Sequence, residues 1–465
     1  MFKMSQPLHK NGLSLLETMA ISVAIMAPTA AMALNGSLAA SIAGVSVPLT
    51  FLLAMVTIGL VAFAFVQFNR HFSSSGSVYA FTTASLGPRA GFLSGWALLL
   101  TYLAFTGASG AEVGAFLQSF LGILNMHISW VPLAVAATLL IWLLAFLEVR
   151  ISARVMLVFE GISMLLILIL TVVILGRGGA AGHLSALPFT LGGNRFSAIG
   201  LASVFAFLSF AGFEGASSLG EETANAKRAI PMAIASAVFV TGIFYVLVSY
   251  AQSLGFGLTA AGVKTFANSS APLGYLAQHY MSSGFAAAIM FGAAMSAFSS
   301  GLGTATTGSR LLYSMGRDGF LNSKLGDVHK RFRSPYVALA VVMVIALLEM
   351  LALAKQTGTN VFGYYGTLGV LSLLLAYLAT NIGAIFYFTR KRIWRSGILV
   401  VPALAVLALA YTLYSNLYPV PAAPYNWFPY IVLAWLLLGV IVIWVSPQMV
   451  KTIARRLAEE SDISL

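Results

Sequence analysis

Phe207-Leu208-Ser209-Phe210-Ala211-Gly212-Phe213-Glu214-Gly215 sets a carboxylic acid between two glycines inside a long apolar run. Glycine weakens a helix and lets another backbone or a ligand come close. An ionisable group in hydrocarbon is costly and usually marks a pathway or a relay. A second interruption, Ile25-Met26-Ala27-Pro28-Thr29-Ala30-Ala31-Met32, lies in the first apolar run, where Pro28 removes one backbone donor and clashes with the preceding turn. The plain alternatives are a simple proline kink at Pro28 and close helix packing at Gly212. Broken backbone survives in a bilayer only where protein or a water-filled cavity surrounds it. Two such interruptions therefore predict a site between them.

Outward from these stretches, the 465 residues include 25 Lys or Arg and only 13 Asp or Glu. Charged residues make up 8% of the chain and hydrophobic ones 59%, with a mean hydropathy of +0.92. A soluble domain carries about 25% charged residues, so a water-soluble enzyme is excluded, and the apolar content excludes a disordered chain. No cysteine is present to build a disulfide scaffold. The net charge of +12 does not indicate nucleic acid, because the basic residues fall in short clusters between apolar runs, as topology determinants do. The first 12 residues are polar and no cleavage-like end follows, so no cleavable signal peptide is expected.

Twelve segments are long enough to span a hydrocarbon core of roughly 30 Å: 13–38, 47–68, 88–120, 130–147, 153–176, 197–220, 229–254, 284–316, 335–354, 359–389, 397–418 and 427–446. With both termini in the cytoplasm, 21 of the basic residues fall inside, and Arg177, Arg195, Lys264 and Lys355 fall outside. That asymmetry supports twelve spans and an inside-to-inside orientation in the cytoplasmic membrane. The aromatics Tyr414, Tyr418, Tyr425, Trp427 and Tyr430 read as an interfacial belt.

The interruptions sit in spans 1 and 6, equivalent positions if residues 13–176 and 197–389 are two five-helix repeats and 397–446 two additional helices. An odd number of spans per repeat forces the second to insert upside down, and inverted repeats with paired broken helices build midplane sites in secondary transporters. Freed amides near Thr29–Ala31 would attract a carboxylate. Freed carbonyls near Ser22–Met26 and Phe207–Phe210 would accept from an ammonium group. A ligand with both groups on one carbon, an α-amino acid, is the simplest fit.

Phe207 to Glu214, followed by Gly220-Glu221-Glu222, Asn225, Lys227-Arg228 and Ile230-Pro231, closely resembles the signature of the amino acid–polyamine–organocation (APC) transporter superfamily. The stretch Gly308-Ser309-Arg310-Leu311-Leu312-Tyr313-Ser314-Met315-Gly316-Arg317-Asp318-Gly319 looks like a second motif of that family. The resemblance implies an all-α polytopic membrane protein of the LeuT type, five helices plus five with two more at the C-terminus, and helices 1 and 6 broken. It implies a substrate site formed by Ile25, Met26, Ala27, Pro28, Thr29 and Ala30 with Phe207, Leu208, Ser209, Phe210, Ala211 and Gly212, and helped by helices 3, 8 and 10. Pro28 departs from the small glycine- and serine-containing break of many relatives, and Leu208 falls where some have an aromatic gate. Glu214 falls where a relative uses a glutamate in proton-dependent gating, and Ser163 where several have a coupling lysine.

Glu214, Glu112 and Glu160 are the remaining candidate proton carriers, and Ser299-Ser300 a candidate sodium ligand pair. Against those roles, Glu112 can partner a polar group on a neighbouring helix, Glu160 can pair with Arg154 or Arg150, and Glu17 suits a helix start. Arg317 and Asp318, with Glu221 and Glu222, read as a cytoplasmic gate network, since isolated surface pairs are too weak to bias a gate. No histidine pair has metal-ligand spacing, and no cofactor is expected. The expected function is alternating-access amino acid transport, proton-coupled or by exchange. A polyamine carrier is the alternative, and a channel or membrane-embedded enzyme finds neither a filter-like repeat nor a catalytic constellation.

Overall fold

Apolar runs with few charges coil into helices because only a helix satisfies its own backbone in hydrocarbon. The computed structural model describes residues 14–72, 77–147, 149–219, 223–317, 319, 321–332, 334–393 and 396–445. Its helices are α1 (Leu15–Met26), α2 (Pro28–Ala43), α3 (Val47–His71), α4 (Ser77–Leu86), α5 (Pro88–Ile123), α6 (Trp130–Phe146), α7 (Val149–Gly176) and α8 (Phe196–Phe210). They continue as α9 (Ala226–Phe256), α10 (Ala260–Ala267), α11 (Pro272–Tyr280), α12 (Ser283–Arg317), α13 (Tyr336–Ala352), α14 (Gly358–Arg390), α15 (Val400–Ser415) and α16 (Phe428–Val445). Every expected span is occupied by helix. Among the described residues, eight stretches are long and apolar enough to cross a membrane, and α6, α8 and α13 are shorter apolar helices.

One of those eight stretches runs from Pro28 to His71, but Gly44 at φ +56 and a 3-10 turn over Gly44–Ser46 separate α2 from α3. The short helices α4, α10 and α11 were not among the expected elements. Glu17 closes a capping box at the start of α1, with the Ser14 amide donating to its carboxylate at 2.9 Å, which is the structural role expected of it.

At 36 residues, α5 is about 54 Å long, and it forms the axis of the bundle, packed by α4, α6, α12, α13, α14 and α16. α15 and α16 lie on the periphery and turn most of their apolar surface outward. α16 is fastened to α5 by Trp96 and Trp435, whose rings stack at 4.5 Å while each indole N–H donates to the other's carbonyl at 2.8 Å. Of the expected aromatic belt, Tyr414, Tyr418, Trp427 and Tyr430 are exposed, whereas Tyr425 packs against Phe205, Tyr364 and Phe428.

Candidate functional site

The first interruption is a full break. Ala27 adopts the left-handed conformation (φ +45, ψ 63), ending α1 and preceding α2 at once. Pro28 explains its place: it disfavours helical geometry in the residue before it and suits the first position of a helix, where no amide is needed. The next two amides do find partners. Thr29 N–H donates to Glu160 Oε1 of α7 at 2.9 Å, and Ala30 N–H to Ser296 Oγ of α12 at 3.1 Å. The Ile25 carbonyl accepts from Ser300 Oγ at 3.0 Å.

The second break follows Phe210, where Ala211 is extended and Gly212 has φ +104. A methyl group on Gly212 would lie 2.9 Å from Ile25 Cβ, so the two breaks are in contact and leave no room for a side chain between them. Of the carbonyls expected to be free there, that of Ser209 accepts from Tyr245 Oη at 2.6 Å, and the Phe213 carbonyl, beyond the expected stretch, accepts from Ser22 Oγ at 3.1 Å.

Beside the breaks is a partly open cavity with about 370 Å³ of space not filled by atoms, open solvent included. Of the expected substrate residues, Ile25, Met26, Ala27, Ala30, Leu208 and Ala211 line it, together with Glu112 and Ser300 from the coupling candidates. Pro28, Thr29, Phe207, Ser209, Phe210, Gly212, Glu160, Glu214 and Ser299 do not line it. Ala31, at the end of the stretch whose amides were expected to be free, and Asn35, Phe105, Ala108, Ser109 and Phe362, which were not singled out, complete the wall. Their spacing carries the signal: residues 105, 108, 109 and 112 form one face of α5, and 31 and 35 one face of α2. The contributing helices are those implied by the family resemblance.

The wall is rich in hydrogen-bond acceptors. Glu112 is 3% exposed, and its Oε1 has no hydrogen-bond partner. Asn35 donates to Ser209 Oγ at 2.8 Å, leaving its Oδ1 unpartnered. The hydroxyl of Ser109 is committed to Ser300, and that of Ser300 to Ile25. No Lys, Arg or His lines the space. Buried acceptors without donors are costly, and a donor-rich cation would relieve both.

Glu214 lies outside the cavity wall, where it accepts from Tyr102 Oη of α5 at 3.0 Å, Tyr377 Oη of α14 at 2.5 Å and the Gly212 amide at 3.1 Å. Ser299 Oγ donates within its own helix, to Met295 O at 3.0 Å. Arg317 lies with its guanidinium carbon 5.6 Å from the centre of the Tyr313 ring, while Asp318, Glu221, Glu222 and the side chains of Arg150 and Arg154 fall outside the described residues. Glu349 of α13, which was not singled out in the sequence, lies against Gly107 of α5 with Oε2 buried and unpartnered. Its signal was an acid one turn from the end of an apolar helix.

The chain is similar to known proteins along most of its length. The chain is 27% identical to the branched-chain amino acid permease BcaP of Bacillus subtilis over 423 residues, 86% of this chain and 85% of BcaP. It is 27% identical to the low-affinity putrescine importer PlaP of Escherichia coli over 358 residues, 74% of this chain and 75% of PlaP. With cationic amino acid transporter 4 of Mus musculus it shares 30% identity over 386 residues, 80% of this chain and 59% of that protein. The relatives are transporters, and the apolar helices make this chain an integral membrane protein. A family model described as amino acid permease matches residues 17–459, and the chain belongs to the amino acid permease family.

Proposed function

We propose that the chain is a secondary active transporter of amino acids and small organic amines, working by alternating access across the cytoplasmic membrane with both termini inside. The observation that carries this reading is Glu112, whose buried Oε1 has no hydrogen-bond partner, in the wall of a cavity beside two facing helix breaks. The protonated amine of the substrate sits against Glu112 and Asn35, and its apolar part against Phe105, Leu208 and Phe362. A charge-assisted hydrogen bond replaces the missing donor there. Twelve crossings in two inverted five-helix repeats, plus two peripheral helices, are supported by the position of the breaks, since each interrupts the first span of its half.

On the side bearing Arg70 and Arg390, the Phe65 ring packs edge to face against Phe81, Phe213 and Tyr377, and Phe213 lies tilted against Tyr377, a seal that supports a state closed towards the cytoplasm. Opening that side requires α1 and the 3-10 turn after Gly212 to part from the rest, breaking or carrying along the Ser22–Phe213 bond. Coupling is to protons or by exchange, with Glu214 as the carrier at the hinge between these parts.

Uptake of labelled leucine and putrescine by the full chain in liposomes tests the reading. Saturable uptake is expected, with KM raised about tenfold or more in Glu112→Gln, the worth of one charged hydrogen bond. An unchanged KM in a folded Glu112→Gln protein, or ion current that needs no organic solute, would overturn it.

A further inference from the structure

Pro28 has no amide, so Thr29 and Ala30 carry the first backbone donors at the start of α2 that find no partner within the helix. That end of a helix favours an anion or another acceptor, and a carboxyl group is already there. Oε1 of Glu160, reaching across from α7, takes the Thr29 amide at 2.9 Å, and Ser296 Oγ takes the Ala30 amide at 3.1 Å. Glu160 is 1% exposed, and its Oε2 makes no hydrogen bond. The cavity wall reaches the same turn through Ala27, Ala30 and Ala31.

We propose that Glu160 is a built-in occupant of the carboxylate position at the break and thereby sets specificity: the pocket prefers a primary amine to the α-amino acid bearing the same side chain. The proposal rests on the substrate amine lying at Glu112. An amine enters with Glu160 in place and meets the side chains of Glu112 and Asn35 in the wall, whose Oε1 and Oδ1 lack donors. The carboxylate of an amino acid finds the Thr29 and Ala30 amides taken and two acids nearby, with no Lys, Arg or His in the wall to offset them. It must displace Glu160 before α2 can receive it. Amino acids are thus carried, but at a disadvantage that Glu160 imposes.

Competition against labelled substrate in liposomes, with the matched pairs isoamylamine and leucine, and putrescine and ornithine, tests this. In the wild type each amine should compete about tenfold or more better than its amino acid, the worth of one charge-assisted hydrogen bond. Glu160→Ala frees the Thr29 amide and should shrink that ratio about tenfold. Glu160→Gln keeps the shape without the charge, carries the test if the alanine variant does not fold, and should shrink the ratio about threefold or more. A wild-type ratio near one, or a ratio unchanged in either folded variant, would overturn the proposal. If no member of either pair competes in any variant, the transport reading itself has failed, a result distinct from equal competition by amine and amino acid.

Discussion

Glu214 accepts three hydrogen bonds, two from tyrosines on different helices and one from the Gly212 amide, so its carboxylate ties α5 and α14 to the second break. A glutamine in its place offers one acceptor oxygen, and its NH2 group faces a donor. Losing a bond to a charged group costs about 1.5–3 kcal/mol. Glu214→Gln is therefore expected to slow uptake about tenfold or more and to flatten its dependence on pH, while Tyr377→Phe slows it without flattening that dependence. Uptake across a pH series by both variants checks this, and wild-type behaviour of Glu214→Gln at every pH would remove the residue from the mechanism. The acid itself was legible in the sequence, as a lone carboxyl flanked by glycines in an apolar run. Its partners were not, because they lie 112 and 163 residues away and tyrosine is common in membrane helices. Glu112 was legible as a buried acid, but that it stands in the wall of a cavity depends on the rotation of α5, which local sequence sets only weakly.

At the scale of elements, the two breaks differ in how their backbone is accommodated. Ala27 holds a left-handed conformation that costs an ordinary residue about 1–2 kcal/mol, whereas Gly212 holds φ +104 with Ile25 in the space a methyl group would need. Ala27→Gly should thus be neutral or stabilising by up to about 1 kcal/mol, since relief of strain is partly offset by a looser unfolded chain. Gly212→Ala should destabilise by about 2 kcal/mol or more, through strain and overpacking together. Thermal unfolding of the two purified variants in one detergent checks the order, and a reversed order would mean that these backbone conformations are not those of the folded protein. Proline and glycine made both breaks legible, because each acts on the backbone directly. What the sequence missed was that the freed amides are already occupied, since the occupants come from α7 and α12. The helices α4, α10 and α11 escaped notice because they have 10, 8 and 9 residues, too few for a pattern to stand out.

For the whole molecule, helix positions were legible because hydrocarbon allows a spanning chain so few solutions, and a run of about 20 apolar residues is a strong signal. Which face of each helix turns inward was not, because interior and lipid-facing surfaces are both apolar and the hydrophobic effect does not sort them. Small residues sort them instead: Gly301 lies against Ile141 and Ser109, Gly308 against Tyr102, and Gly369 against Phe105, close approaches that draw α12 and α14 onto α5 and α6. Orientation rests on charge alone, with 21 basic residues assigned to one side and 4 to the other. The absence of cysteine gives a clean background for testing it. His183 and Ser323 are both exposed and lie in loops assigned to opposite sides. In intact cells, a membrane-impermeant maleimide should label His183→Cys at once and Ser323→Cys only after the membrane is opened. The reverse pattern would turn the molecule over and make the aromatic seal around Phe65 and Phe213 an outer gate, so the cavity would have to fill from the cytoplasm.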